Sequence, residues 1–212
     1  MQDYSEIDLI GRILGGEPRL YEYFIRKYNQ RLFRTGMSIL NDDTEVEDAM
    51  QASYIKAYEH LAAFKNRSSF GTWITRIMIN ECLLHKKNKK RLQAISENQY
   101  ANISHMKTPM HTLINKELGA VLENAIALLP EKYRMVFVLR EVEDLSVRET
   151  AEVLALEESN IKVRLNRAKT MLKENLTGYM KENLYAFHFT RCDRIVRQVF
   201  KGLRIDCPSG QA

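Results

Sequence analysis

The stretch Leu145–Leu176, LSVRETAEVLALEESNIKVRLNRAKTMLKENL, decides the fold. Ser146 followed three residues later by Glu149 is a capping box, which opens a helix. Val147, Ala151 and Leu154 share one face of that helix, which spans about residues 146–154. Ala155-Leu156-Glu157-Glu158 reads as a turn, without the glycine common at such turns. In the second helix, about 159–176, Ile161, Leu165, Ala168 and Leu172 recur at i, i+4, i+7 and i+11, and so can pack on the first. Two short helices joined by a tight turn make a helix-turn-helix. The face opposite the apolar stripe carries Asn160, Lys162, Val163, Asn166, Arg167 and Thr170. Between Ser159 and Lys173 stand Lys162, Arg164, Arg167, Lys169 and Lys173, with no acid among them. Such a face suits a DNA major groove: Lys and Arg meet phosphates or guanine edges, Asn reads adenine, and Val163 touches a thymine methyl. The alternative is a solvated face in an ordinary bundle.

Upstream, Leu113, Leu118, Leu122, Ile126 and Leu129 predict a helix that Pro130 ends, and Glu131 to Val142 predicts another. Residues 92–110 are rich in Asn, Ser and His and lose the apolar period, so they read as a linker. Before it, Ser5–Leu14 predicts a short helix stopped at Gly15-Gly16. Pro18 is suited to a first turn, and Leu20, Phe24, Tyr28, Leu32, Met37 and Leu40 fall at helical spacing. Thr44 with Glu47 predicts a second capping box, ahead of Val46, Met50, Tyr54, Tyr58 and Leu61. Phe70 to Lys87 predicts a helix that carries Trp73, Ile77, Cys82 and Leu84. A last amphipathic segment covers about 183–204. No strand and no internal repeat is visible. The fold class is all-α: two small helical domains joined by a flexible linker, with boundaries at 1–91, 92–110, 111–182 and a tail at 183–212.

Composition narrows the function. Gly (9) and Pro (4) are too few for collagen-like or low-complexity chains. No apolar run approaches the roughly 20 residues that span a bilayer, so no stable membrane insertion is expected. The acidic first residues lack the apolar core of a signal peptide. Cys82, Cys192 and Cys207 are three widely spaced cysteines with no CxxC, so neither a disulfide framework nor a zinc ribbon is indicated. A reduced, cytoplasmic protein is the expectation. The formal charge is 32 − 27 = +5, a moderate bias whose distribution matters more than its size.

Two further constellations bear on binding. Asp42, Asp43, Glu45, Glu47 and Asp48 begin one helix. They complement its N-terminus, and Asp48, Gln51 and Tyr54 form a mixed polar and aromatic surface for a partner. Asn66, Arg67, Ser68, Ser69 and Phe70 precede a helix bearing Trp73, Arg76 and Asn80 and ending in Lys86, Lys87, Lys89, Lys90 and Arg91. Basic residues interleaved with aromatics suit a single-stranded nucleic acid; equally, Phe70 and Trp73 belong in a core with the lysines merely solvated.

A family resemblance bears on that choice. Glu47-Asp48-Ala49-Met50-Gln51, Tyr54-Ile55-Lys56-Ala57-Tyr58 and Phe64 through Phe70-Gly71-Thr72-Trp73-Ile74 resemble region 2 of the sigma-70 family. Leu129-Pro130-Glu131-Lys132-Tyr133-Arg134, Leu139-Arg140-Glu141, Leu145-Ser146 and Ile161-Lys162-Val163-Arg164-Leu165-Asn166-Arg167-Ala168 resemble region 4. Short length and the absence of a region 3 domain resemble the extracytoplasmic-function (ECF) type. The resemblance covers about residues 8–90 and 113–176. It implies a promoter-specificity subunit of bacterial RNA polymerase. Asp48, Gln51 and Tyr54 would dock on the polymerase core. Asn66, Arg67, Ser68, Ser69 and Phe70 would hold a flipped base of the −10 element, with Arg76 and Asn80 assisting melting. Ser159, Asn160, Lys162, Val163, Asn166 and Arg167 would read the −35 element in promoter DNA, and Arg140 would contact a backbone phosphate. An anti-sigma factor is a further partner by family analogy. Val163 stands where the family commonly has a hydroxyl or small residue, which leaves the −35 sequence open.

No paired carboxylates, Cys–His nucleophile pair or phosphate loop stands at informative spacing. The expectation is therefore a non-enzymatic factor with no catalytic residue, no metal and no cofactor of its own. A stand-alone helix-turn-helix repressor or activator is the first rival, and a helical protein-interaction adaptor or small enzyme the second. His188 and Cys192 in the tail lie four apart, at most half a zinc site. The simpler reading of that tail is an amphipathic helix packing Phe187, Ile195, Val199 and Leu203. Cys82 reads as a small core residue.

Overall fold

The computed structural model describes residues 5–95, 113–183 and 198–199. The regular elements it describes are helical: α1 (Glu6–Leu14), α2 (Tyr21–Met37), α3 (Asp43–Glu59), α4 (Phe70–Ile95), α5 (Leu113–Ala127), α6 (Glu131–Phe137), α7 (Val147–Leu154) and α8 (Glu158–Asn183). Short 3₁₀ turns at Pro18–Leu20 and Leu61–Ala63 and a π-helical turn at Val138–Val142 complete the set.

Local sequence explains most boundaries. Ser5 Oγ accepts from the Asp8 N–H at 3.2 Å and starts α1, and Gly15 caps its end. The start of α3 corrects the sequence reading. Its cap is Asp42, whose side chain accepts from the Glu45 N–H at 3.0 Å, rather than Thr44. Asn41 turns the chain through a left-handed φ of 58°, leaving Asp42 extended and ready to cap, so Thr44 falls inside the first turn. Helix α4 runs on past Lys87 to Ile95, since the Lys- and Arg-rich segment contains good helix formers and no breaker.

The buried face of α3 is narrower than its large apolar residues suggest. It consists of Val46, Ala49, Ser53, Tyr54 and Ala57, while Tyr58 is exposed. Small residues let α2, α3 and α4 approach closely. A Cβ on Gly36 of α2 would lie 2.6 Å from Met78 Cε and 2.7 Å from Val46 Cγ1. On α4 the core is filled by Phe70, Ile74, Met78 and Cys82, while Leu84 is exposed. Burial pushes the Cys82 thiol up to about 12, consistent with an inert core residue.

Helix α6 was expected to continue regularly to Val142. Instead the Glu143 N–H donates to Val138 O at 3.0 Å, a five-residue step that widens the last turn. Val138 and Leu139 in this turn are both buried. The helix-turn-helix forms as read. Ser146 and Glu149 make the reciprocal capping box of α7. Ile161, Ala168 and Leu172 of α8 are buried, with Ile161 and Leu165 in the cluster that also holds Val136, Val147, Ala151 and Leu154.

The helix-turn-helix does not stand apart. Leu139, Leu145 and Val153 belong to the same apolar core as Phe24, Leu32 and Phe70. The described residues up to Lys173 form one compact body. Helix α8 continues beyond it to Asn183. Most of the sequence-predicted linker and tail, with His188 and Cys192, lies outside the described residues; in the tail Val199 is exposed.

The turn between α7 and α8 generates a prediction. Ala155 occupies the left-handed region at φ 52°, where the common glycine is missing. An L-residue there costs roughly 1–2 kcal/mol. Replacing it with glycine costs ~0.5–1 kcal/mol in unfolded-state entropy. Ala155→Gly should therefore stabilise the protein by about 0.5–1 kcal/mol in urea unfolding; a loss of stability would count against this turn geometry.

Candidate nucleic-acid interface

Helix α8 presents the face that the sequence assigned to duplex DNA. Ser159, Asn160, Lys162, Val163, Asn166 and Arg167 are all exposed, with Val163 at 52%. Exposure of a branched apolar residue amid polar ones fits contact with a base methyl. Several side chains are already oriented. Arg164 Nε donates to Asn160 Oδ1 at 2.8 Å, engaging the oxygen that a bidentate adenine contact would use. Arg167 Nη1 donates to the Tyr133 hydroxyl at 3.3 Å. Arg140 lies in the π turn, half-buried, and its Nε meets no acceptor among the described residues.

The loop before α4 is built from behind by aromatics. The Phe70 ring lies 4.3 Å from Phe24, 5.7 Å from Tyr28, 5.8 Å from Phe64 and 5.5 Å from Trp73. Phe70 is 1% exposed, so it supports the loop rather than lining its open side. Ser69 caps α4: its Oγ accepts from the Thr72 N–H at 3.1 Å. Asn66 takes φ 51°, a conformation Asn tolerates better than most residues. Two residues assigned to DNA, Ser69 and Asn66, thus also shape the loop. Asn66, Arg67 and Ser69 are exposed and Ser68 is half-buried.

Along α4, Trp73, Arg76, Asn80, Leu83, Lys87 and Lys90 recur at alternating steps of three and four, one continuous stripe. Trp73 is half-buried and the others are exposed. At its far end Leu83, Lys86, Lys87, Lys90 and Arg91 line an open cleft of about 520 Å³, with Glu131 on the other wall paired to Lys86. The loop, the polar pair and the basic cleft therefore follow one helix in order.

The α3 surface divides. Asp48 and Gln51 are exposed, with Ile55 (52%) and Tyr58 (42%) beside them at helical spacing. Tyr54 does not belong to this surface. It is 7% exposed, and its hydroxyl donates to Ile25 O at 3.1 Å while its own carbonyl accepts from the Tyr21 hydroxyl at 2.8 Å. Burial pushes the Tyr54 phenol well above its ordinary range. The exposed apolar pair Ile55 and Tyr58 was not assigned to this surface from the sequence.

A polar seam that the sequence reading missed joins the helix-turn-helix to the first four helices. Glu143, with its side chain 7% exposed, meets Arg34 Nη1 at 3.1 Å and Arg31 Nε at 3.4 Å. Arg134 Nε donates to Ser38 O at 2.8 Å. Thr72 Oγ1 donates to Glu149 Oε1 at 3.2 Å. The Ser146 N–H, foremost, holds the Glu149 carboxyl below the usual range, with help from the Ser146 and Thr72 hydroxyls and Arg31. These partners stand about 75–110 residues apart, and no periodic signal links them.

Comparison with known proteins agrees with this organisation. The family described as Sigma-70 region 2 matches residues 24–92, and that described as Sigma-70, region 4 matches residues 120–172. RNA polymerase sigma-H factor of Pseudomonas aeruginosa is 27% identical over 184 residues, 82% of this chain and 95% of that protein. ECF RNA polymerase sigma factor SigW of Bacillus subtilis is 24% identical over 177 residues, 79% of this chain and 94% of the relative. Among solved structures, the sigma factor RpoE in complex with the anti-sigma factor NepR from Bartonella quintana has TM-score 0.64 at 18% identity. It covers 74% of this chain and 96% of that one. CnrH in complex with the cytosolic domain of CnrY has TM-score 0.58 at 22% identity, covering 80% and 96%. At these identities the two structures speak to fold.

The burial of Tyr54 makes a prediction that separates support from docking. Tyr54→Phe removes the buried hydroxyl and its hydrogen bond to the Ile25 carbonyl, and should cost about 1 kcal/mol of stability. Binding to any partner at the α3 face should stay within about twofold. A binding loss far larger than the stability loss would put the Tyr54 hydroxyl in the interface.

Proposed function

The chain belongs to the sigma-70 family as a sigma factor of the ECF type, and on that premise we propose which of its surfaces perform each step of initiation. Asp48 and Gln51, together with Ile55 and Tyr58, dock on the polymerase core. The acidic start and apolar middle of that face suit a partner with a basic rim and an apolar centre. Asn66, Arg67, Ser68 and Ser69 take a base of the −10 element out of the stack, with Phe70 fixing the loop beneath them. Arg76, Asn80 and the basic cleft guide the melted strand. Asn160, Lys162, Val163, Asn166 and Arg167, flanked by Ser159 and Arg140, read the −35 duplex. We take residues 1–91 and 111–182 as the two reading units, 92–110 as their connection, and the cytoplasm as the place of action. An anti-sigma factor is a fitting regulator, since the structurally similar sigma factor RpoE is held in a complex with the anti-sigma factor NepR.

The observation that carries this reading is the order along α4. A shaped loop, an Arg–Asn pair and a basic cleft lie in sequence on one rigid element. Duplex reading needs a rigid helix in the groove. A melted strand needs pockets and a cationic track. The chain has one of each, and linking two weak sites raises the effective concentration of the second once the first is bound. Promoter opening then runs on binding energy within the assembled polymerase.

The test is a pull-down and gel shift with bacterial core polymerase. Wild type should bind core, and should bind promoter DNA tightly only in its presence. Asp48→Arg combined with Gln51→Ala should weaken core binding roughly tenfold or more, about 1.4 kcal/mol, with an unchanged melting temperature. Tight duplex binding by the chain alone, with no affinity for core, would favour a stand-alone regulator.

A further inference from the structure

We propose that Arg164 is a positioning residue for −35 recognition: by bonding to Asn160 it turns that amide from a reader of adenine into a selector of guanine. The inference deepens the proposed −35 role of α8 and rests on it.

Asn160, Val163, Arg164 and Arg167 stand at i, i+3, i+4 and i+7, one continuous patch of α8. The patch lies away from Ile161, Ala168 and Leu172, which are buried. Asn160, Val163 and Arg167 are exposed, while Arg164 is half-buried. Half-burial restricts the Arg164 side chain, and long side chains on a helix lean over the preceding turn. There its Nε donates to Asn160 Oδ1 at 2.8 Å. A guanidinium has donors only, so the atom it meets must be the amide oxygen, which leaves the Asn160 NH2 as the end that faces DNA.

The charge of the patch is not cancelled. Glu157 and Glu158 stand just ahead of it, yet Arg164 bonds to the amide. Lys169 is paired with Glu141 at 3.0 Å, whereas Arg167 donates to the neutral Tyr133 hydroxyl at 3.3 Å. Among the described residues, then, the patch carries two guanidiniums without a carboxylate partner.

An asparagine that reads adenine uses both ends of its amide. The NH2 donates to N7, and the oxygen accepts from the N6 amino group. In this chain the oxygen already accepts a charge-assisted bond. Its second lone pair remains, but an adenine amino group approaching it brings a donor against a cation that is itself a donor. Guanine offers N7 and O6, two acceptors, on the same edge. The Asn160 NH2 meets one, and an Arg164 Nη N–H meets the other. Thymine offers a single acceptor and cytosine an amino donor, so guanine is the best match. Val163 lies beside the pair, placed to touch a thymine methyl at a neighbouring step.

The experiment selects promoters randomised in the −35 element for binding to polymerase reconstituted with the full chain, and sequences the bound pool. Asn160→Ala marks the position that Asn160 reads, by flattening its base preference. At that position wild type should select guanine over adenine by roughly tenfold. Arg164→Ala should exchange that preference for adenine and leave the other positions unchanged. Arg164→Lys, which keeps a cation within reach of Oδ1, should retain guanine. Alanine and lysine are both good helix formers, and circular dichroism melts establish that each variant remains folded. A merely structural role would weaken all −35 sequences together and exchange no base. Three results would overturn the proposal: no position flattened by Asn160→Ala, adenine selected there by wild type, or guanine still selected by Arg164→Ala. Selection by the chain alone, with no affinity for core, would overturn the polymerase reading; an exchange of guanine for adenine in that selection would still uphold the role of Arg164.

Discussion

The position of Phe70 constrains the rest of the functional surface. One ring, at the first residue of α4, touches Phe24 and Tyr28 of α2, Phe64 before the loop and Trp73 one turn on. That contact fixes where α4 starts, and with it the direction of everything α4 carries. The loop of residues 65–69 hangs from this anchor, closed on the other side by the Ser69 cap and turned by Asn66. A loop that must accept a base cannot fill its own mouth with apolar side chains. It has to be shaped from behind, and the aromatic cluster does that. Gly71 shows how tight the arrangement is: a Cβ there would lie 2.7 Å from the Tyr28 ring and 2.8 Å from Arg31 Nη1. The same glycine therefore borders the aromatic anchor and the arginine clasp.

The two readers are built on different principles. The α8 reader is a rigid rod whose inner face is locked by Ile161, Ala168 and Leu172 and whose exposed residues over 159–170 are polar apart from Val163. The α4 reader combines a shaped loop with a long helix and a basic end. Rigidity suits a duplex, whose groove does not change to meet the protein. A shaped cradle suits a strand whose bases leave the stack on binding. Contacts of Glu143, Glu149 and Arg134 pack both readers into one body.

Much of this was legible in the sequence because helical signals are local. The Ser146–Glu149 box, the Ile161-Leu165-Ala168-Leu172 stripe and the Gly15-Gly16 stop each lie within one or two turns, and each is found where it was read. Failures share a cause: they depend on neighbours distant in sequence. Tyr54 and Tyr58 are four apart and equally apolar; only the approach of α2 to the small residues of α3 decides that one is buried and the other exposed. The cap moved from Thr44 to Asp42 because Asn41 adopts a left-handed turn. The π turn after α6 depends on the Glu143 N–H reaching back to Val138 O, a step that no local sequence signal marks. The clasp of Glu143 by Arg31 and Arg34 joins residues more than a hundred apart, and each looks like an ordinary surface charge on its own element.

The account turns on the loop before α4 acting on melted promoter DNA. The most direct measurement is permanganate footprinting of a promoter with reconstituted polymerase, comparing wild type with Asn66→Ala/Arg67→Ala, in which the Phe70 anchor is untouched. The account predicts that the variant still assembles with core and still protects the −35 duplex, while thymine reactivity in the −10 region falls severalfold. Full reactivity with intact assembly would contradict it, since promoter melting would then proceed without the loop.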